Sequence, residues 1–370
     1  MKVLILSYSG SIHTKRWVKA LSERGCEICL FSLNTSDDTF YLGLDNVKVV
    51  NYQYRYTSNS FKDTILQRFE FFHVKRIVRK IIDDFHPDIV HAHYAVDYGS
   101  IGAVVGFHPF ILSVWGSDVY GDPFLPWFSK LTLRYKLHKA DCIMSTSAVM
   151  AKETAKYTKK KIVVTPFGVD TKHFCPLPVF VPSDSFVVGN VKTLAPKYGI
   201  DILIRAFARV VENNPSVLLL LKIAGKGPQE EELKQLAKDL GIEDKVDFVG
   251  YIQNEKLVEF YNSISVAVSL SVFDSESFGV VAVEAMSCEC PVVVSDADGF
   301  TEVVEDNITG FVVPKRDAEA TATAIQKFID DPDLRKKMGA AGRKRVQRMF
   351  EWNENVKAML GFYKELIDNK

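Results

Sequence analysis

The sequence predicts an α/β protein made of two doubly wound, Rossmann-like domains. Three observations carry this. Short β-branched strands alternate with helix-patterned segments along most of the chain. A proline-rich stretch without periodicity, Cys175-Pro-Leu-Pro-Val-Phe-Val-Pro-Ser-Asp184, interrupts the alternation. A chain of 370 residues is too long for one typical domain and suits two, each able to bury a core. The expected division is 1–175, 176–350 and a final helix at 351–370.

The first half opens with an apolar strand, Lys2 to Ser7, the loop Tyr-Ser-Gly-Ser-Ile-His-Thr, a helix from about Lys15 to Arg24 ended by Gly25, and a strand from Glu27 to Leu33. This β-α-β opening lacks the Gly-x-Gly-x-x-Gly turn and has no acid at the end of its second strand, which disfavours a dinucleotide cofactor. Gly10 is open to two readings, a loop glycine that approaches a ligand's phosphates or an ordinary turn glycine. Val47 to Tyr52 reads as a strand, Phe61 to Phe85 as a long helix, and Pro87 to Tyr94 as a strand running into a loop. His91 and His93 share one face of that strand; with no third ligand in view, a metal pair is the weaker reading. Pro109 to Asp118 is a strand ending in Trp-Gly-Ser-Asp, and such carboxyl ends face the ligand crevice of open α/β sheets. Phe124 to His138 reads as an amphipathic helix whose basic and aromatic residues also suit a membrane surface. Strands at Asp141 to Ser145 and Lys161 to Thr165 and the turn Pro166-Phe-Gly-Val-Asp170 complete this half.

The second half restarts the alternation. Strands are expected at Ser185 to Val191, Val217 to Ala224, Lys245 to Val249, Ile264 to Leu270, Pro291 to Ser295 and Thr309 to Pro314. Helices are expected near Asp201 to Glu212, Gln229 to Leu240, Glu255 to Tyr261, Gly279 to Ser287 and Phe300, and from Asp317 to the end. Gly225-Lys-Gly-Pro reads as a turn.

Lys plus Arg and Asp plus Glu both number 46, so no bulk field marks a nucleic-acid binder. No apolar run approaches the ~18 residues of a membrane span, and the apolar N-terminal run is shorter than a signal peptide's. These readings give the expectation of a soluble cytoplasmic protein. The six cysteines read as buried reduced thiols, since Cys26 and Cys29 face opposite sides of a strand and Cys288 and Cys290 have no nearby histidine.

The most informative stretch is Val272-Phe-Asp-Ser-Glu-Ser-Phe-Gly-Val-Val-Ala-Val-Glu-Ala-Met286, read as strand, loop and helix. Ser275 or Ser277 is the expected N-cap, leaving the N–H groups of Phe278, Gly279 and Val280 at the positive end of the helix dipole as an anion site. Gly279 has no Cβ to hold a phosphate away. Glu276 falls before the helix and Glu284 inside it, eight residues on, so the two carboxylates do not form one adjacent acid pair. Lys192 and Lys197 flank the loop after the domain's first strand, where a diphosphate would need cations. Asp296-Ala-Asp298 has the form of a metal-holding triplet, a pattern that also arises by chance.

The Glu-x7-Glu stretch, with Pro-Val-Val-Val-Ser after it, closely resembles the signature of the family 4 retaining glycosyltransferases, which have the GT-B fold. So do the blocks Val164-Thr-Pro-Phe-Gly-Val-Asp-Thr-Lys-His-Phe, Lys197-Tyr-Gly-Ile-Asp-Ile-Leu-Ile-Arg-Ala-Phe, Ile223-Ala-Gly-Lys-Gly-Pro, Val246-Asp-Phe-Val-Gly-Tyr and Asp306-Asn-Ile-Thr-Gly-Phe-Val-Val-Pro, in family order. The resemblance implies an acceptor-binding first domain, a nucleotide-sugar-binding second domain, reaction in the cleft between them, and a last helix that returns to the first domain. Carried over by position, Glu284 binds the ribose and Glu276 contacts the transferred sugar. Lys192 and Lys197 neutralise the diphosphate with the amides of Phe278, Gly279 and Val280. The donor-facing residues of the first domain are Gly10, His93, Trp115 and Asp118.

The implied activity is hexosyl transfer with retention, by front-face attack in which the leaving phosphate takes the acceptor's proton. No cofactor or metal is needed, because lysines and a helix terminus supply the charge. The implied partners are a nucleotide-sugar donor, UDP- ahead of GDP-, and a glycan or lipid-linked acceptor of surface polysaccharide or glycoconjugate assembly, with peripheral contact at the inner membrane face. The alternatives are a non-catalytic nucleotide-sugar-binding subunit and an epimerase on the same fold. The sequence departs from the family pattern in having Lys192 for Arg, Trp115 for His, and Glu289 and Asp298 for glycines beside the signature. A guanidinium fork thus becomes a point charge, and an indole becomes available to stack on a sugar.

Overall fold

The computed structural model describes residues 1–53, 61–120, 127–178 and 185–369. The chain forms two compact units, residues 1–166 with 354–370 and residues 167–353. In the first, seven parallel strands, β1 (Lys2–Leu6), β2 (Glu27–Ser32), β3 (Val47–Asn51), β4 (Ile89–His93), β5 (Phe110–Val114), β6 (Cys142–Ser145) and β7 (Ile162–Val164), lie in the order β3-β2-β1-β4-β5-β6-β7. In the second, six parallel strands, β8 (Ser185–Val191), β9 (Leu218–Ala224), β10 (Val246–Gly250), β11 (Val266–Ser269), β12 (Val292–Ser295) and β13 (Gly310–Val313), lie in the order β10-β9-β8-β11-β12-β13.

The central strands are near-continuous apolar runs because helices cover both faces of a parallel sheet; every residue of β4 and β5 is buried. The helix Ile200–Asn213 shows how a covering face is built. Ile200, Leu203, Ile204, Phe207 and Val210 recur at helical spacing and are buried in the second core with Val188, Leu221 and Val268 of the sheet.

The units divide after Pro166 and after Asn353, which corrects the expected boundaries at 175/176 and 350/351. The cause lies in the backbone. Val169 donates its N–H to Phe350 O at 2.8 Å and accepts from the Trp352 N–H at 2.9 Å, so the turn after Pro166 is already stitched to the end of the second unit. The break in periodicity at 175–184 comes later, and its residues 179–184 lie outside the described residues.

The last helix, Trp352–Asp368, returns the chain to the first unit. There Tyr363, 1% exposed, shares a hydrogen bond of 2.6 Å with His91 Nδ1. Truncating such a buried aromatic side chain to alanine costs about 3–5 kcal/mol.

Three further helices, Tyr98–Val105, Ser117–Tyr120 and Ala148–Thr154, have no counterpart in the sequence reading. Tyr98–Val105 is buried on nearly all sides and so carries no amphipathic period. The first helix begins at Ile12, three residues before the expected start. The basic aromatic helix spans Trp127–Lys139, and the expected start at Phe124 lies outside the described residues. Among the described residues no helix is long and apolar enough to cross a membrane.

Candidate active site

The second sheet reverses its strand order between β8 and β11, and the loops leaving those two strands diverge there, which is where open α/β sheets bind ligands. Lys192 and Lys197 follow β8; Ser271 and Glu276 follow β11. The two loops are joined by a bond from Val272 N–H to Lys197 O, 2.9 Å, and Ser295 Oγ donates to Ser271 O at 2.6 Å. Asn190, buried near the end of β8, donates its side-chain amide to Val268 O at 2.8 Å.

The Gly-Lys-Gly turn proves to be a support for this loop. Gly225 has φ +145, and a Cβ there would sit 1.9 Å from the Lys192 carbonyl, so only glycine lets the turn back onto the residue. The turn then accepts and holds the loop: Lys192 N–H donates to Ala224 O at 3.0 Å and Leu194 N–H to Lys226 O at 3.1 Å.

Lys192 Nζ donates to Glu276 Oε2 at 2.6 Å, with both side chains only 12% exposed, and Ser271 Oγ donates to the same oxygen at 2.8 Å. Burial pushes the Glu276 carboxyl up, but Lys192, Ser271 and the charge of Lys197 outweigh it and hold the group below its usual range. Glu276 is therefore an anion at neutral pH. The Lys192 and Lys197 ammonium groups lie 4.8 and 4.7 Å from the centroid of one ring, Tyr198, whose π-face gathers two cations that would otherwise repel.

The helix after this loop runs Val280–Ser287 and begins at Gly279, with no side-chain cap. This corrects the expectation of a Ser275 or Ser277 cap. Gly279 has φ +78, and a Cβ on it would strike the Phe300 ring at 2.6 Å. Glycine is thus required by the backbone and by Phe300, whatever it does for a ligand. Among the described residues the N–H groups of Phe278, Gly279 and Val280 make no hydrogen bond. Phe278 itself is buried against Phe350, 5.4 Å between ring centroids.

Glu284 is 3% exposed, and its Oε2 accepts from Tyr261 Oη at 3.1 Å. Burial, and then the Glu284 charge, push the Tyr261 phenol well above its ordinary value, so it stays a donor. Asp296 of the acidic triplet faces a cation: Lys315 Nζ is 3.8 Å from it and donates to Asp274 at 2.7 Å.

The first sheet reverses between β1 and β4, and the remaining expected residues cluster around that point. Gly10 lies in the loop after β1, where a Cβ would meet the ring of Tyr8 at 2.7 Å. His93 ends β4; its Nδ1 shares a hydrogen bond of 3.2 Å with Ser7 Oγ, and its ring lies 4.7 Å from that of Trp115 at 33°. Trp115 also meets His13 edge-on at 5.9 Å. Burial drives His93 well below its usual pKa and His91 down to about 3, so both rings are neutral. His91 spends both nitrogens, on Tyr363 and on Ser113 Oγ at 2.7 Å, which leaves it no lone pair for a metal. Among the described residues no group of three or more His, Cys, Asp or Glu is placed to hold a metal ion.

Asp118 is 7% exposed and accepts from the backbone N–H groups of Ala95 at 2.8 Å, Gly116 at 2.7 Å and Trp115 at 3.1 Å. Its carboxylate staples the loop after β4 to the loop after β5 and sets the backbone position of Trp115. Burial raises its pKa against those bonds.

Two family models match the chain. Residues 178–345 match the family Glycosyl transferases group 1, and residues 2–147 match the family Glycosyl transferase 4-like. The D-inositol 3-phosphate glycosyltransferase of Acidothermus cellulolyticus is 34% identical over 221 residues, 56% of this chain and 48% of that protein. The chain thus spans about half the length of the curated relatives it matches. Sucrose-phosphate synthase from Thermosynechococcus elongatus superposes with a TM-score of 0.85 over the whole of both chains at 22% identity. The Anabaena protein HepE in complex with UDP gives 0.79 over 99% of this chain and 100% of that one at 19% identity. These structures share the two-domain GT-B fold with this chain.

Sequence reasoning missed Ser271, Tyr198 and Tyr261, which position the acidic and basic groups of this site. Ser271 had a signal: it follows the end of the strand that leads into the signature by two residues, so its hydroxyl lies at the carboxyl end beside Glu276. Tyr261 had none, because its pairing with Glu284 joins residues 23 apart on different helices.

Proposed function

We propose that this glycosyltransferase moves a hexosyl group from a UDP-sugar to a glycan or lipid-linked acceptor, with retention of anomeric configuration and without a metal, in surface polysaccharide or glycoconjugate assembly. The observation that carries the reading is the group at the β8/β11 switch point: Lys192 and Lys197 beside one tyrosine ring, the buried Glu276 anion, and the open amides that start the helix Val280–Ser287. Two cations and a helix terminus suit a diphosphate leaving group, whose charge rises as the glycosidic bond breaks. UDP is favoured because the fold neighbour HepE has been solved with UDP and with UDP-glucose.

In this reading Lys197 and the amides of Phe278 to Val280 meet the diphosphate. Lys192 has three donors and spends one on Glu276, leaving others for a phosphate oxygen. Glu284, fixed by Tyr261, takes the ribose diol; a carboxylate offers about four acceptor directions, enough for both. Glu276, fixed by Lys192 and Ser271, faces the transferred sugar through its second oxygen. With no free strong base among these groups, the leaving phosphate accepts the acceptor's proton. The basic helix Trp127–Lys139 meets an anionic membrane surface.

The test is a screen of UDP- and GDP-hexoses in EDTA with glycan and lipid-linked acceptors, reading nucleotide release and, by NMR, the anomeric configuration of the product. Turnover of one UDP-sugar to a retained linkage is expected, with Lys197→Ala lowering kcat by about 100-fold or more. Donor binding with neither transfer nor slow donor hydrolysis would sink this reading in favour of a non-catalytic subunit. Conversion of the donor to its epimer would point to an epimerase.

A further inference from the structure

A second cavity lies in the same unit, at the other end of the sheet. It has a volume of about 260 Å³ and is lined by the residues that precede or open the central strands, among them Ser185 at the start of β8, Ser265 just before β11 and Pro291 just before β12. The candidate active site is at the carboxyl ends of these strands. The seven residues of β8 therefore span about 20 Å, at ~3.3 Å per residue, between Lys192 and the end of the sheet where this cavity opens.

The floor of this cavity is apolar and its rim is cationic. Ile264, Cys288 and Cys290 line it and are 6%, 5% and 4% exposed. Burial pushes the Cys290 thiol up to about 12 and Cys288 higher, so the floor is neutral at any physiological pH. Arg335 and Lys336, from the first turn of the helix Pro332–Met349, contribute two adjacent positive charges. Among the described residues neither side chain makes a hydrogen bond or an ion pair; the Arg335 guanidinium rests over the Phe186 ring at 5.5 Å. Burial lowers the Arg335 pKa, the mark of a cation taken partly out of water without a counter-charge. Ser265 Oγ accepts from Val187 N–H at 3.1 Å, and its own O–H donates to no group among the described residues. The one carboxylate in the lining, Glu289, is directed to another partner, Arg343, at 4.0 Å.

We infer that this cavity is a binding site for a small phosphate monoester, with the phosphate held by Arg335, Lys336 and the Ser265 hydroxyl and a compact organic body of sugar size against the thiol floor. A guanidinium fork grips two phosphate oxygens at once, a neighbouring ammonium answers the second negative charge, and a hydroxyl supplies a neutral donor. The volume is below the ~300–1,000 Å³ of drug-sized sites, which excludes a nucleotide sugar. The site thus differs from the donor site in position and in ligand size; the residue common to both is Tyr261, which lines this cavity and holds Glu284.

The test is calorimetric titration of glucose 6-phosphate into the full chain. It is run once with saturating UDP and once on the Lys192→Met, Glu276→Gln, Lys197→Ala variant, which removes the active-site cations without stranding a buried anion, so that phosphate cannot be captured by the active site. The second arm keeps the test valid even if UDP does not bind. One-to-one binding in both arms is expected. Arg335→Ala should weaken it about tenfold or more, and Arg335→Lys, which keeps the charge but loses the fork, by less. Unchanged thermal unfolding of Arg335→Ala shows that the loss is local. Inorganic phosphate should bind more weakly than the monoester, and glucose not at all. Absence of binding up to about 10 mM, or equal affinity in Arg335→Ala, overturns the assignment.

Discussion

Removing Lys192 strands a buried anion, and the cost can be worked from the geometry. At the 2.6 Å separation of Lys192 Nζ and Glu276 Oε2, the Coulomb attraction is about 6 kcal/mol at an effective dielectric near 20. Desolvation of two side chains that are each 12% exposed offsets most of this, so the intact pair contributes little net stability. Lys192→Ala keeps the desolvation and loses the attraction, leaving Glu276 with the Ser271 hydroxyl and the more distant Lys197 charge. The second unit should lose about 3–5 kcal/mol. The double variant Lys192→Met, Glu276→Gln removes both charges at similar volume and should cost less than about 1 kcal/mol. Hydrogen exchange read on peptides from β8 and β11 is the suitable assay, because two units need not unfold together. A single variant costing below about 1 kcal/mol and adding to Glu276→Gln without coupling would mean that the pair behaves as an exposed one, and the reasoning from burial would fail.

Three other outcomes follow from the same structure. Glu289 sits just past the C-cap of the helix Val280–Ser287 with φ +59, so Glu289→Gly should stabilise the second unit by about 1 kcal/mol; denaturant midpoints that fall instead would contradict this. Asp118→Ala leaves the amides of Ala95, Trp115 and Gly116 without their acceptor. A loss of about 3 kcal/mol in the first unit is expected by hydrogen exchange, and a change under about 0.5 would show that the staple is not needed. His91 is buried neutral with a pKa near 3, below its ordinary value, so its contribution is complete above about pH 6.5 and is lost as pH falls toward 3. His91 alone should contribute about 1.4 kcal/mol per pH unit across that window, on top of the slopes of His93 and His13, which burial lowers in the same direction, and a His91→Gln variant with the same acid slope as the wild type would refute the assignment to this ring.

The parallel sheets were legible because strands buried on both faces must be apolar runs, and the glycine and proline turns between them mark the ends. The switch-point residues Lys192, Lys197 and Glu276 were legible for a topological reason: loops that leave the central strands of an open sheet line its crevice. What the sequence hid is non-local. The boundary at Pro166 depends on Val169 meeting Phe350 and Trp352, which no local pattern records. The helix start at Gly279 depends on Phe300, and two nearby serines gave a false cap signal. Asp118 read as a polar contact for a ligand, whereas three backbone donors surround it, since a short acid after a glycine turn is ambiguous until the neighbouring loop is placed. Glu289 stands where the family pattern has glycine, and only its φ shows that the substitution carries backbone strain.

The most direct test of the central claim is calorimetric titration of UDP, GDP and ADP in EDTA, on the wild-type chain and on Glu284→Ala. The expected result is micromolar binding of UDP alone, weakened about tenfold or more when the ribose-facing carboxylate is removed. If no nucleotide binds with or without magnesium, or if Glu284→Ala binds UDP as the wild type does, the β8/β11 switch point is not the donor site described here.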